Sequence, residues 1–131
     1  MKKGYKQLVA EANAVVETIP AADAVKQFQA GKVVFADIRD YPELERDGKV
    51  PNAVHASRGM LEFYADPESP YHKDVFASGQ KLLLYCASGG RSALAAQRLT
   101  EMGLSQVAHV GGGIKAWKEA GGPVETLQDK T

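Results

Sequence analysis

One short segment combines three residue types that could together do chemistry: a cysteine, a pair of glycines and an arginine. Cys86, the single cysteine of the chain, is followed by Gly89 and Gly90 and then by Arg91. Adjacent glycines can adopt positive φ, which lets several backbone N–H groups turn toward one point. Such N–H groups favour the thiolate, the nucleophilic form of cysteine. The pattern therefore predicts a reactive cysteine, although an isolated cysteine in a small protein is more often a packed core residue.

A strand and a helix are predicted to position this loop. Residues 82–85 form an uninterrupted apolar run (LLLY), which is typical of a strand buried on both faces of a parallel sheet. A helix is expected to begin at Arg91 or Ser92 and to end at Gly103. Cys86 would then lie just past the carboxyl end of the strand and at the positive end of a helix dipole, where an anion is stabilised.

The order of segments along the chain resembles that of the rhodanese-like domain family. Residues 81–103 (KLLLYCASGGRSALAAQRLTEMG) resemble its active-site loop and following helix, in which a persulfide-forming cysteine opens the loop that wraps its sulfur. Residues 33–40 (VVFADIRD) resemble its strand that ends in Asp-x-Arg. Residues 48–56 (GKVPNAVHA) resemble its Gly-x-x-Pro-x-Ala element, and residues 107–125 (VAHVGGGIKAWKEAGGPVE) resemble its last strand, glycine turn and tryptophan-bearing helix.

This resemblance implies a fold and an activity. The implied fold is α/β, with a five-stranded parallel sheet flanked by helices on both faces. The implied activity is that of a thiosulfate sulfurtransferase. The Cys86 thiolate attacks the outer sulfur of thiosulfate, sulfite leaves, and the persulfide sulfur passes to cyanide, to a thiol or to an acceptor protein. Neither a metal nor an organic cofactor is implied.

The loop is predicted to bind the substrate through its backbone and two of its side chains. The residues assigned to substrate binding in the loop are Ala87, Ser88, Gly89, Gly90, Arg91 and Ser92. Their amides are expected to stabilise the persulfide anion. Arg91 either attracts an oxyanion donor or fixes the loop by pairing with a carboxylate such as Asp37. Ser92 is expected to cap the helix and to hydrogen-bond the donor.

Two charged residues outside the loop are further candidates for the site. Asp37, which follows a predicted strand at residues 33–36, is expected to support the site by capping loop amides or by pairing with an arginine. The alternative for Asp37 is a role as catalytic acid or base. Arg58 is a candidate for contacting an anionic substrate, and its alternative is a plain surface arginine. His55 is assigned a structural role in preference to a catalytic one.

Two other functions compete with sulfur transfer to a small acceptor. Cysteine phosphatases also place a thiolate in an amide-lined loop that ends in arginine, but their loop has one residue more than the four that separate Cys86 from Arg91 here. The shorter ring suits one sulfur atom and is too tight for a tetrahedral phosphate. The second alternative is a protein-to-protein persulfide carrier, or a binding module without significant thiosulfate turnover. It uses the same loop and stays open.

Length and composition predict one domain, without a nucleic-acid or membrane partner. The chain has 131 residues, and its 16 Lys and Arg residues balance 16 Asp and Glu residues. No stretch approaches the ~18 apolar residues of a membrane span. A single cysteine cannot form an intrachain disulfide, which favours a reducing compartment and predicts a cytoplasmic location.

The predicted organisation has three parts: an N-terminal helical extension (residues 1–16), a rhodanese-like domain (17–125) and a flexible tail (126–131). The helix of the extension is expected to pack on the edge of the sheet. The triple glycine at residues 111–113 is predicted to form a permissive turn close to the cysteine loop. It is not a P-loop, because no Lys-Ser or Lys-Thr pair follows it.

Overall fold

The chain forms a mixed α/β domain, and the computed structural model describes residues 1–127. The strands are β1 (Glu17–Ile19), β2 (Val33–Asp37), β3 (Val54–His55), β4 (Lys81–Tyr85) and β5 (Val107–Val110). The α-helices are α1 (Tyr5–Val15), α2 (Ala21–Ala30), α3 (Tyr41–Asp47), α4 (Leu61–Ala65), α5 (Gly90–Glu101) and α6 (Gly113–Glu119). Two short 3-10 helices, Arg58–Met60 and Asp74–Ala77, lie between β3 and β4.

The strands form one sheet in the order β1-β5-β4-β2-β3, and every neighbouring pair is parallel. Parallel neighbours need crossover connections over the faces of the sheet, and helices supply most of them here. β4 lies at the centre of this order, between β5 and β2. The loop that follows β4 therefore leaves the sheet from its most enclosed strand.

Alternate residues of β4 are buried in two cores, one on each face of the sheet. Leu82 and Leu84 belong to a core that α4 and α5 cover, and Leu83 and Tyr85 belong to a core that α2 and α6 cover. A strand enclosed on both faces needs apolar side chains at every position, which explains the unbroken run. Each such side chain contributes about 1.5–3 kcal/mol when fully buried. The predicted five-stranded parallel sheet with helices on both faces is confirmed.

The helix after the cysteine loop begins one residue earlier than predicted. Gly89 adopts a left-handed φ of 107°, so that the chain turns directly into α5 at Gly90. A left-handed conformation is readily adopted only by glycine, and it shortens the connection between loop and helix. The helical residues end at Glu101, and Gly103 follows the C-cap with φ 107°.

The N-terminal helix lies beside the edge of the sheet, where its main partner is another helix. α1 packs against α5, and its Asn13 also accepts a hydrogen bond from Thr18 of the edge strand β1. That edge is occupied by β1, which begins only two residues after α1 ends and pairs with β5. Ala12 of α1 is fully buried in this contact layer. Of the predicted tail, residues 128–131 lie outside the described residues.

Candidate active site

Cys86 directly follows β4 at the carboxyl edge of the sheet. Ligand sites in open parallel sheets form at this edge. The side chain is 1% exposed and packs in the same core as Leu82 and Leu84. Burial alone would fit a packed core cysteine, so the assignment of a nucleophile depends on the polar groups that surround the sulfur.

Two polar groups of the described chain contact the Cys86 sulfur. The Gly89 N–H donates a hydrogen bond to Sγ over 3.1 Å, and Ser92 Oγ lies 3.6 Å from Sγ. Ser92 stands in the first turn of α5 and is fully buried. The Cys86 S–H donates to Ser92 Oγ, whose own hydroxyl lies 3.3 Å from the Gly89 carbonyl. The Gly89 N–H points at the sulfur and stabilises negative charge there.

The first turn of α6 fixes the outer side of the loop. The Ile114 N–H donates to the Cys86 carbonyl over 2.9 Å, and the Lys115 N–H donates to the Ala87 carbonyl over 3.2 Å. Gly113 permits this approach, because a Cβ atom there would lie 2.5 Å from the carbonyl oxygens of Cys86 and Ala87. The triple glycine therefore serves to seat α6 against the loop. The N–H groups that an anion would need at this helix start already donate to the loop.

Arg91 pairs with a carboxylate, which is one of its two predicted roles, but the partner is Glu43 and not Asp37. The two terminal nitrogens of Arg91 each donate to one carboxylate oxygen of Glu43 over 2.9 Å. Glu43 also accepts the Asp40 N–H over 3.0 Å. The hydrogen bond from Arg91 is the main cause that lowers the pKa of Glu43 to about 2. Glu43 in turn raises the pKa of Arg91. The pair ties the start of α5 to α3.

Asp37 pairs with Arg39, two residues further along the chain. Nη2 and Nε of Arg39 donate to the Asp37 carboxylate over 2.7 and 3.0 Å, and both side chains are fully buried. The same Nη2 donates to the Gly48 carbonyl over 2.7 Å. Beside them, burial raises the pKa of Tyr85, whose hydroxyl accepts the Val50 N–H. This is the pairing with an arginine that the supporting role of Asp37 requires, and the role itself stays a prediction.

The remaining predicted site residues divide between the loop and a turn after β3. Ala87 and Ser88 line an open depression of about 460 Å³ beside α6. Gly90 supplies backbone at the start of α5. Arg58 forms an ion pair with Glu62 over 2.8 Å. Its guanidinium is therefore already partnered, and its contact with an anionic substrate stays a prediction.

A buried histidine that sequence reasoning missed lies behind the loop. His109 of β5 is 2% exposed, and its Nδ1 lies 2.9 Å from Ser92 Oγ. Its Nε2 lies 2.9 Å from Asn13 Oδ1 and 3.0 Å from Thr18 Oγ1. Burial lowers the pKa of His109. A signal was present: a polar residue inside an apolar strand (VAHV) needs buried partners.

Residues 1–127 contain neither a metal-binding cluster nor a membrane-spanning helix. Within them no group of three or more His, Cys, Asp or Glu side chains could hold a metal ion. None of the helices there combines the length and the apolar character that crossing a membrane requires.

Comparison with known proteins identifies the family that shares this arrangement. The model of the rhodanese-like domain matches residues 20–120. The thiosulfate sulfurtransferase GlpE of Coxiella burnetii is 35% identical over 89 residues, which are 66% of this chain and 72% of GlpE. The chain therefore belongs to the rhodanese-like domain family, as its sequence motifs predict.

Solved structures agree with this assignment. RPA3614 from Rhodopseudomonas palustris, a protein of unknown function described as a possible tyrosine phosphatase, is 50% identical with a TM-score of 0.92, over 95% of this chain and 96% of that one. The polysulfide-sulfur transferase homodimer from Wolinella succinogenes is 31% identical with a TM-score of 0.70, over 93% of this chain and 87% of that one. Family membership and the two named transferases support a sulfurtransferase activity.

Proposed function

We propose that the protein is a thiosulfate sulfurtransferase that carries sulfane sulfur on Cys86. The observation that carries this proposal is the surroundings of the sulfur: Sγ stands at the end of the central strand and accepts the Gly89 N–H over 3.1 Å. A loop closed by Arg91 wraps it, and α6 holds that loop from outside. This arrangement favours an anionic sulfur, and both the thiolate and its persulfide are anions.

The reaction takes two nucleophilic steps. In the first, the Cys86 thiolate attacks the outer sulfur of thiosulfate. A bond forms between the two sulfurs while the S–S bond of thiosulfate breaks, and sulfite leaves with the electron pair. In the second, cyanide or a thiolate attacks the outer sulfur of the persulfide, which releases thiocyanate or a new persulfide and restores the Cys86 thiolate. The loop amides stabilise the persulfide between the two steps.

Phosphate-ester hydrolysis is less well supported, although RPA3614 is described as a possible tyrosine phosphatase. Four residues separate Cys86 from Arg91, one fewer than in cysteine phosphatases. In addition, each terminal nitrogen of Arg91 already donates to Glu43, whose negative charge opposes the binding of a phosphate at this guanidinium. We therefore expect no turnover of p-nitrophenyl phosphate.

A second candidate function is that of a persulfide carrier between proteins. The observation that favours it is the same pair, because Glu43 balances the positive charge of Arg91 that would otherwise attract thiosulfate. Ala87 and Ser88 add no charge to the loop. In this function the donor is a protein persulfide or polysulfide, and the acceptor is a protein thiol. A reducing, cytoplasmic location belongs to both candidates.

Intact-mass measurement before and after addition of thiosulfate, and again after cyanide, tests the proposal. Wild-type protein is expected to gain one sulfur atom and to lose it to cyanide as thiocyanate. Cys86→Ser is expected to gain none while keeping its fold, as followed by circular dichroism. A gain of sulfur by Cys86→Ser would overturn the mechanism.

The same experiment separates the two candidates. Polysulfide and a persulfide-loaded protein replace thiosulfate as the donor in parallel samples. Loading by these donors without loading by thiosulfate would support the carrier, and the absence of loading by any donor would contradict both candidates.

A further inference from the structure

A line of hydrogen-bonding groups runs from the nucleophile through the protein to the N-terminal helix. Ser92 Oγ lies 3.6 Å from Cys86 Sγ and 2.9 Å from His109 Nδ1. On the far side of the ring, Nε2 lies 2.9 Å from Asn13 Oδ1. Cys86, Ser92 and His109 are all at most 2% exposed, so the connection between them is shielded from bulk water.

The partners of the ring assign its proton. Asn13 presents an amide oxygen to Nε2, and such an oxygen accepts hydrogen bonds but does not donate them. Nε2 therefore carries the proton of the neutral ring, and Nδ1 presents a lone pair to the Ser92 hydroxyl. Ser92 Oγ accepts the S–H of Cys86. The hydroxyl hydrogen of Ser92 has two acceptors within reach, the Gly89 carbonyl at 3.3 Å and the nearer His109 Nδ1 at 2.9 Å. The Ser92 hydroxyl thus lies between a proton donor, the Cys86 thiol, and a proton acceptor, His109 Nδ1.

We propose that His109 accepts the proton of Cys86 through Ser92, so that the thiolate forms together with a buried imidazolium ion. The S–H bond of Cys86 breaks as an O–H bond forms on Ser92, and the original O–H bond of Ser92 breaks as an N–H bond forms at His109 Nδ1. One proton moves in total, and no other reactant is needed. His109 acts through Ser92 and is a positioning residue for the nucleophile.

The charges around the two ends are compatible with this transfer. The groups that face the ring from α1, β1 and α5 are Asn13, Thr18 and Ser92, and all three are uncharged. Burial lowers the pKa of His109, so the ring takes up the proton only as the thiolate forms and its negative charge offsets the cost of a buried positive charge. Near the sulfur, the guanidinium of Arg91 interacts electrostatically with Cys86. The thiolate at one end and the imidazolium at the other stabilise each other in a poorly hydrated interior.

The inference rests on the proposed function only for its purpose, which is to supply the thiolate that attacks the sulfur donor. Its test needs no sulfur donor. Ultraviolet absorbance of the thiolate, recorded against pH, reports Cys86 alone after subtraction of Cys86→Ser, because the chain has one cysteine. His109→Asn keeps a polar group near Nδ1 but cannot take up a proton, and Ser92→Ala removes the bridge. His72→Asn serves as the matched control, since His72 bonds the Tyr64 carbonyl away from the loop.

His109→Asn and Ser92→Ala are each expected to lower the thiolate fraction at neutral pH roughly tenfold. His72→Asn is expected to leave it unchanged. Asn13→Asp places a carboxylate against Nε2 and is expected to act in the opposite direction, raising the thiolate fraction at low pH. A thiolate titration of His109→Asn that coincides with that of wild type would overturn the proposal.

Nitrogen-15 spectra of the histidine rings separate proton transfer from a purely structural role. At the pH where wild type shows the thiolate, its His109 ring is expected to be an imidazolium ion, whereas in Cys86→Ser it is expected to be neutral. A neutral ring in both proteins would overturn the proposal. If His109→Asn does not fold, these spectra and Asn13→Asp decide the matter, and an unchanged thiolate fraction in Asn13→Asp counts against it. Failure of sulfur loading with an intact relay would refute the proposed function alone.

Discussion

The ends of two neighbouring strands, β2 and β4, carry polar groups that are arranged in opposite ways. The strands pair in register, with Asp37 opposite Tyr85, so their carboxyl ends lie side by side. After β2, the charges of Asp37 and Arg39 are closed on each other and fully buried. After β4, Cys86 Sγ has two uncharged groups beside it, the Gly89 N–H and the Ser92 hydroxyl. The comparison teaches that the end of β4 suits the proposed nucleophile because its polar neighbours can stabilise a charge without neutralising it.

Removing the Asp37–Arg39 ion pair after β2 should have the largest effect on the free energy of unfolding and little effect on sulfur transfer. Arg39→Met leaves the Asp37 carboxylate buried without its partner, and such a loss costs about 3–5 kcal/mol of the free energy of unfolding. The double variant Asp37→Asn with Arg39→Met removes both charges and should lose less than the single variant. Urea unfolding measures both. Equal losses would mean that the buried charge is not what destabilises the single variant.

The next-largest effect is expected when the loop after β4 is displaced by a substitution in α6. Gly113→Ala forces a methyl group against the carbonyls of Cys86 and Ala87 and should cost about 1–3 kcal/mol beyond the backbone strain. Persulfide loading should fall with it, since the loop must shift. Gly31→Ala is the matched control, because Gly31 also has positive φ but open space around it. Gly31→Ala should cost only the backbone strain of about 1–2 kcal/mol and keep full loading. Similar loading by the two variants would contradict the role of α6 in holding the loop.

Removing the Arg91 side chain should have a smaller effect, and this effect should be mainly on the free energy of unfolding. Arg91→Ala breaks the pair with Glu43, which is partly exposed, and should cost about 1 kcal/mol. The KM for thiosulfate should change little, because Glu43 already balances the guanidinium charge. Arg98→Ala, on an exposed face of the same helix, is the control. A large rise in KM with unchanged thermal stability would instead assign Arg91 to donor binding.

The smallest expected effect is the loss, at low pH, of the stabilisation that the Glu43–Arg91 pair provides. The pKa of Glu43 is lowered from 4.5 to about 2 by its hydrogen bond with Arg91. A carboxyl with a lowered pKa in the folded protein stabilises it fully above the unfolded value, and this contribution is lost as the pH falls through the folded value. The stability difference between wild type and Glu43→Gln should therefore shrink between pH 4.5 and about 2. A difference that stays constant over this range would contradict an ionised pair.

The parts of the site that could be predicted from sequence are those built by neighbours along the chain. The apolar run of β4, the glycines and Cys86 are contiguous, and each constrains the backbone locally. The partner of Arg91 could not be predicted in this way, because Glu43 is 48 positions away. Several acidic residues could have been the carboxylate partner of Arg91, and the sequence does not distinguish Glu43 from Asp37.

The group behind the nucleophile was harder still to predict. His109 and Asn13 are separated by 96 positions and meet only because β5 pairs with β1 beside α1. No periodicity in the sequence encodes that contact. The strand pattern around His109 did show that a polar side chain had to be buried. It could not show that one of the buried partners of His109 is Ser92, which contacts Cys86.

The contacts of α1 determine where the domain can be cut for transfer into another protein. The family match begins at residue 20, which would be the natural place to cut the domain for transfer into another protein. Such a cut removes Asn13 and Thr18, leaving Nε2 of His109 without its described partners. The cut also removes β1, so β5 becomes an edge strand and the ring exchanges these partners for water. The smallest piece that can be moved with its chemistry intact therefore begins at α1, ahead of the boundary that family likeness alone would suggest.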